Sequence, residues 1–356
     1  MFNFLILNTF DFFVYLLLDI MKKYLLPFFA TLFLVPAFGQ YRIDYGIRAG
    51  AANYLGDIGG KSDPRRDFIV DMHLPSTRWA VGAFYRKRKN KKLAWSATMD
   101  YIRIEGRDEL TTYFPRRARN LRFKNDMVEL SARGEFTLYY DSDLTNQGYF
   151  SPDMKIYVFG GLAGLYSNPK GFINEFAADY ISREQGGSIQ DYYGRWEKVR
   201  PWKTEGQDNT YSPVTFAIPT GIGMYFTYQK KWRFGMEYSW RITFTDYLDD
   251  ISTQYPTEAK IEASAGSDAT IAKGYVFHSF DDDLFVNDRS IDEGIPSTNF
   301  YSAGSPRGNN LNNDNYMTFQ FYVSKIVKTK SNFYKSKYNW MTSKGRGGAR
   351  KGVIKF

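Results

Sequence analysis

The sequence predicts an all-β fold: an eight-stranded antiparallel up-and-down transmembrane barrel with long external loops. Three observations carry this. Strand-length alternation of apolar and polar residues recurs eight times, the connections alternate short and long, and no internal run approaches the 18 apolar residues a spanning helix needs.

The clearest strand is Trp232 to Phe244. Trp232, Phe234, Met236, Tyr238, Trp240, Ile242 and Phe244 share one face; Arg233, Gly235, Glu237, Ser239, Arg241 and Thr243 share the other. Successive side chains of a strand point to opposite sides, whereas a helix would scatter these residues around its circumference. About 13 residues exceed the usual soluble strand and cover the ~9–11 that cross a bilayer. In chain order, the other faces are Ile43–Ala51, Trp79–Tyr85, Leu93–Tyr101, Val128–Leu138, Met154–Tyr166, Val214–Tyr228 and Met317–Val323.

Arg86–Lys92, Asp141–Pro152 and Gln229–Lys231 are the shorter links. Leu55–Thr77, Arg103–Asp126, Ser167–Ser212 and Thr245–Tyr316 are the longer ones. Strict alternation matches barrels with short periplasmic turns and long external loops, and an even strand number lets first and last strands pair. Eight strands leave an interior just wide enough for side chains. The inward Asp44, Arg48, Asp100, Glu129, Arg133, Glu135, Glu237 and Arg241 are expected to fill it as compensating charges, without an open pore. A secreted soluble barrel would instead turn its aromatic faces inward. Loops of this length either fold over the mouth or stay mobile.

Composition narrows the function. The 356 residues contain no cysteine, which removes disulfide frameworks, thiolate metal sites and cysteine nucleophiles. Aromatics make up 18%, suited to anchoring strands at two interfaces. Met21–Gly39 reads as a secretory signal: Lys22 and Lys23, an apolar core from Tyr24 to Val35, and the small-x-small Ala37-Phe38-Gly39. Met1–Ile20 is expected to be an upstream start artefact, leaving a barrel over residues 40–326 and a basic periplasmic tail over 327–356. From Lys325 to Phe356 there are 10 Lys or Arg and no acid, while the barrel is near neutral.

Signals for chemistry are thin. The two histidines, His73 and His278, fall in predicted loops beside Asp71, Ser76, Ser279 and Asp281, neighbours common in polar loops. Acids at Asp246, Asp249 and Asp250, and at Asp281–Asp283, lack calcium-loop spacing and read as solvated loop bases. Gly160-Gly161 and Gly221-x-Gly223 lie inside strands, where they permit bending rather than phosphate binding. Neither catalysis, a cofactor nor a metal is expected. The tail interleaves aromatics with lysines as nucleic-acid binders do, but a secretory signal argues against nucleic acid. Facing the periplasm, the tail suits an acidic protein surface or the inner leaflet, while the barrel itself meets outer-membrane lipid. A docking face is expected at the periplasmic end, built from Arg86, Lys87, Arg88, Lys89, Lys91 and Lys92 of the first turn with Lys335, Lys337, Trp340, Arg346, Arg350 and Lys351 of the tail.

Two stretches carry a family resemblance. Gly50-Ala51-Ala52-Asn53-Tyr54-Leu55-Gly56-Asp57-Ile58-Gly59 and Thr245-Asp246-Tyr247-Leu248-Asp249-Asp250-Ile251-Ser252 resemble the PorG-like outer-membrane barrels of Bacteroidetes, with Asn53, Tyr54, Gly56, Asp57, Thr245, Asp246, Tyr247, Asp249 and Asp250 as the family-like positions. The resemblance implies a non-enzymatic subunit of the type IX secretion system that anchors or positions a periplasmic ring of proteins. The second reading is an OmpA-type structural or adhesive barrel acting through its external loops.

Overall fold

In the computed structural model, residues 43–59, 74–111, 114–141, 153–229, 231–280, 302–309 and 312–327 are described. The barrel strands are β1 (Ile43–Leu55), β2 (Arg78–Arg88), β3 (Leu93–Arg107), β4 (Arg122–Asp141), β5 (Asp153–Tyr166), β8 (Val214–Tyr228), β9 (Trp232–Thr243) and β10 (Asn315–Val327). Two short strands, β6 (Pro169–Phe172) and β7 (Trp196–Lys198), extend the sheet from β4. The eight long strands pair antiparallel around a closed ring. β1 pairs with β10 from Ile43↔Val327 to Leu55↔Asn315, β3 with β4, and β5 with β8. Closure leaves no unpaired edge in the membrane, where an open backbone group has no partner.

The alternation decides which face is which. Ile47, Trp95, Leu162 and Phe216 are 60–71% exposed on the outside of the barrel. Asp44, Arg48, Asp100, Glu129, Arg133, Glu135, Glu237 and Arg241 are all buried within it, as their spacing predicts. An apolar exterior around a charged, water-excluded interior suits a wall facing lipid.

The third and fourth strands are longer than expected, and the reason is chemical. The alternation continues past Tyr101 with its polarity reversed: Ile102 and Ile104 turn inward and are fully buried, while Arg103 and Arg107 face out. On β4, Phe123 and Met127 are buried inward while Arg122, Lys124 and Asp126 face out. Here the wall has left the lipid and its outside meets water, so inside and outside exchange roles. The expected loop over Arg103–Asp126 therefore begins and ends as sheet, its two arms paired from Arg103↔Asp126 to Arg107↔Arg122.

The described parts of the long loops fold over the mouth. They contribute α1 (Phe114–Arg119), α2 (Glu175–Gln185), α3 (Ile189–Tyr192), α4 (Glu258–Ala265) and α5 (Ala269–Phe277). Asn174 caps α2 by accepting from the Ala177 N–H at 2.9 Å, and Ser188 with Asp191 forms a capping box on α3. Ala177, Ala178 and Ile181 of α2 and Ala272, Tyr275 and Val276 of α5 are buried in one cluster. That cluster continues into the upper barrel through Ile102, Ile104, Phe123 and Leu165, so cap and wall share a core.

Candidate functional site

The lumen decides whether anything can pass through the barrel. Five arginines and five carboxylates meet there. Arg48 donates Nε to Asp100 at 2.6 Å and Nη1 to Glu237 at 3.0 Å, and Arg133 reaches the same Glu237 at 2.5 Å. Arg241 pairs with Glu129 at 3.1 Å, Arg86 with Glu135 at 2.9 Å, and Arg233 with Asp44. Tyr157 and Tyr316 donate their hydroxyls to Glu237 and Glu129 at 3.0 and 2.6 Å. A buried pair of this kind adds little net stability over an apolar core, but losing one partner is costly. The arrangement fills the barrel with charge held in fixed geometry.

Arg86 belongs to this interior, which corrects its assignment to the periplasmic turn. It lies within β2, 1% exposed, with its guanidinium between Phe84, Tyr157, Tyr225 and Tyr322, each ring centre 5.0–5.2 Å away. The alternation along Trp79–Tyr85 extends to it: counted on from Phe84, Arg86 keeps the inward parity. Lys87 and Arg88 are half-buried at the strand end, and Lys89, Lys91 and Lys92 are exposed in the turn. Lys335, Lys337, Trp340, Arg346, Arg350 and Lys351, the segments Met1–Ile20 and Met21–Gly39, His73 and Asp281–Asp283 lie outside the described residues.

The two family-like stretches come together at the barrel mouth. Asp249 Oδ2 accepts from the Ile58 N–H at 3.0 Å, joining residues 191 apart in sequence. Tyr54 donates its hydroxyl to Asp314 Oδ1 at 2.7 Å and accepts from the Asp57 N–H at 3.2 Å. Asp314 Oδ2 accepts from the Leu248 N–H at 2.9 Å, and Asp57 Oδ2 from the Asn309 N–H at 2.8 Å. A Cβ on Gly56 would overlap the Tyr54 hydroxyl and the Asp314 carboxylate, so this position has no room for any other residue. Asn53 donates to the Thr77 hydroxyl at 3.0 Å, and Thr245 accepts from the Tyr247 N–H at 3.2 Å.

A second layer locks this knot. Arg119 donates Nε to Asp108 at 2.7 Å and reaches the carbonyls of Asp57 and Arg307 at 2.9 and 2.8 Å. Asp250, at φ 73°, accepts from Thr204 and Tyr211 at 2.6 and 2.7 Å; Tyr211 stacks on Tyr247 with centroids 4.6 Å apart. Glu205 accepts from the Ser252 and Thr253 N–H groups at 2.7 and 2.9 Å.

The acids at Asp246, Asp249 and Asp250 are therefore not a solvated loop base. All three are buried, and backbone N–H groups that a sequence does not display are what hold Asp249 in place. Burial, followed by the nearby Asp57, pushes Asp249 up to about 7; burial pushes Asp250 up to about 6 against the pull of Arg307. Asp314 is raised well above the usual carboxylate range by burial and then by Asp249 and Asp246. Burial opposes the Arg119 charge, but Asp108 outweighs it and holds that charge more firmly than usual.

The histidine in the described cap, His278, stacks on Tyr180 with ring centres 3.7 Å apart. Its neighbour Ser279 directs its hydroxyl at the carbonyls of Tyr275 and Gly274 at the end of α5.

Comparison with known proteins adds a family model and a set of solved barrels. Residues 22–186 match a family described as a domain of unknown function, DUF6089. A search of curated proteins finds no match. Among solved structures, the chain is similar to Neisserial surface protein A at 9% identity and TM-score 0.32, covering 81% of this chain and 99% of that one. It is also similar to Ail of Yersinia pestis, at 8% identity and TM-score 0.30, over 80% and 99% of the two chains. The N-terminal barrel domain of Pseudomonas aeruginosa OprF gives 9%, 0.28, 81% and 99%. On its own geometry, a closed ring with an apolar outer belt and a charged, filled interior, this protein is an outer-membrane β-barrel.

Proposed function

We propose that this barrel is a non-enzymatic subunit of the type IX secretion system, a sealed outer-membrane anchor that positions a periplasmic ring of secretion proteins. One observation supports the reading above others. The two stretches that resemble PorG-like barrels form one buried knot, tied through Asp249 and Ile58, rather than two unrelated phrases. A lumen filled by paired charges fits an anchor better than a conduit. The docking face is the turn end of the barrel, where Lys89, Lys91 and Lys92 are exposed, together with the basic tail. Exposed charges act over roughly 8–10 Å, so these residues matter only in contact with an acidic partner.

The test pairs two readouts. Lys89, Lys91 and Lys92 are changed to Gln and the chain is truncated after Lys330. Barrel level in the outer membrane should hold while co-purification of periplasmic ring proteins and cargo secretion fall. Wild-type secretion and co-purification would remove the docking face. The second reading, an adhesive barrel acting through its loops, is favoured by the ordered cap in which α2 and α5 pack together over the upper barrel. Deleting the gene separates the two: loss of cargo secretion supports the first, loss of surface attachment with normal secretion the second.

A further inference from the structure

Past the lipid belt, the outward face of the wall carries a row of like charges. Lys124 on β4 lies directly opposite Lys170 on β6, and Lys170 directly opposite Lys198 on β7. Directly opposed residues on neighbouring antiparallel strands have Cβ atoms ~4.5–5.5 Å apart, and like charges there are destabilising. On the other side of the row Glu105 of β3 lies directly opposite Lys124, but its carboxylate is taken up by Arg78, Arg107 and Arg122 at 2.5, 2.8 and 2.9 Å. Nearby Arg103 pairs with Asp126 at 2.6 Å and Arg122 with Glu105 at 2.9 Å, whereas Lys124, Lys170 and Lys198 form no ion pair among the described residues. Aromatics line the row on one side: Trp196 lies 3.9 Å from the Lys124 ammonium, and Phe172 packs on Trp196 at 5.2 Å.

The height of the row says what neutralises it. Val128 faces out between Tyr101 and Tyr166, with Trp79 stacked on Tyr101, which marks the aromatic edge of the lipid belt. Lys124 is four residues further along β4, ~13 Å of strand, or ~10 Å along the membrane normal at a tilt of ~40°. The headgroup layer above the hydrocarbon is ~5–8 Å deep, and a lysine reaching back toward it spans the remainder.

We propose that Lys124, Lys170 and Lys198, flanked by Trp196, bind the phosphate groups of an anionic lipid in the leaflet on the loop side. The proposal rests on the outer-membrane reading of the barrel. Purified protein in neutral detergent is mixed with equal amounts of phosphatidylglycerol and phosphatidylcholine, and retained lipid is counted by native mass spectrometry. The wild type should prefer the anionic lipid. Changing all three lysines to Gln should weaken that preference by roughly five-fold per lysine, and changing them to Arg should keep it. Basic residues at the turn end are common to all samples, so the difference reports this row. Equal preference in wild type and the Gln variant overturns the proposal. Displacement of the lipid by inorganic phosphate at the same concentration overturns the lipid source in favour of a soluble anion. Gel mobility before and after boiling, read on the same samples, reports the barrel itself. A wild type without a heat-dependent shift overturns the membrane reading rather than the site alone.

Discussion

Replacing Glu237 with Gln tests the paired lumen at its most connected point. Glu237 receives Arg133 at 2.5 and 3.3 Å, Arg48 at 3.0 Å and the Tyr157 hydroxyl at 3.0 Å. Without its charge Arg48 keeps Asp100, but Arg133 is left with the Ser96 hydroxyl at 3.4 Å and the face of Phe159 at 4.4 Å. A buried charge stranded in this way costs about 3–5 kcal/mol. Gln retains one acceptor, so the expected loss is about 3 kcal/mol, at the lower end of that range. Adding Arg133→Met removes the stranded charge and should recover most of the loss, giving a coupling of ~2 kcal/mol or more in a double-mutant cycle. Urea unfolding in detergent, read as the folded fraction on unboiled gels, gives each free energy by linear extrapolation. A loss below ~1 kcal/mol, or simple additivity with Arg133→Met, would mean that water reaches the lumen and the pairing there is incidental.

Met236 faces out one residue before Glu237, so Met236→Arg should cost about 2–4 kcal/mol at the membrane midplane, measured by the same unfolding assay. Gly56→Ala should expose the loop cap to proteases while the barrel keeps its heat-dependent gel shift, because the new methyl displaces Tyr54 or Asp314 at the knot alone. The cap should also respond to pH. Asp249 and Asp250 have folded values raised to about 7 and about 6, so their contribution is complete below the ordinary carboxylate value and is lost as pH rises through 6 and 7. Protease resistance of the cap should therefore fall between pH 5 and pH 8, and Asp249→Asn should flatten that dependence; an unchanged profile in the variant would contradict the assignment.

How much of this was legible in the sequence depends on which solvent each residue meets. Within the lipid belt a period of two with aromatics on one side gave eight strands, their order and the inward charges, because hydrocarbon outside and paired charge inside are a strong contrast. The belt's upper edge was misread. At Ile102 and Phe123 the period continues but polarity inverts, and a search for outward aromatics stops there. Counting parity through the inversion would have recovered Arg103–Arg107 and Arg122–Met127 as strand, and counting it on past Tyr85 at the turn end would have placed Arg86 inside. The knot was visible only as two phrases. Its geometry depends on backbone N–H groups of Ile58, Leu248 and Asn309, on Asp314 and on Arg119, and nothing in local patterning links these to Tyr54 or Asp249. The cap helices were missed for a related reason. α2, α4 and α5 bury small and mixed faces against one another, with Ala177, Ala178, Ile261 and Ala272 in the contact, so no long apolar stripe announces them.

The barrel should sit in the outer membrane with its loop cap outside and its turns inside. A chain without cysteine allows this to be read from single substitutions. Ser188→Cys, exposed at the start of α3, should react with a membrane-impermeant maleimide on intact cells. Lys91→Cys, exposed in the first turn, should react only after the outer membrane is permeabilised. The reverse pattern, or labelling of both sites on intact cells, would contradict this orientation.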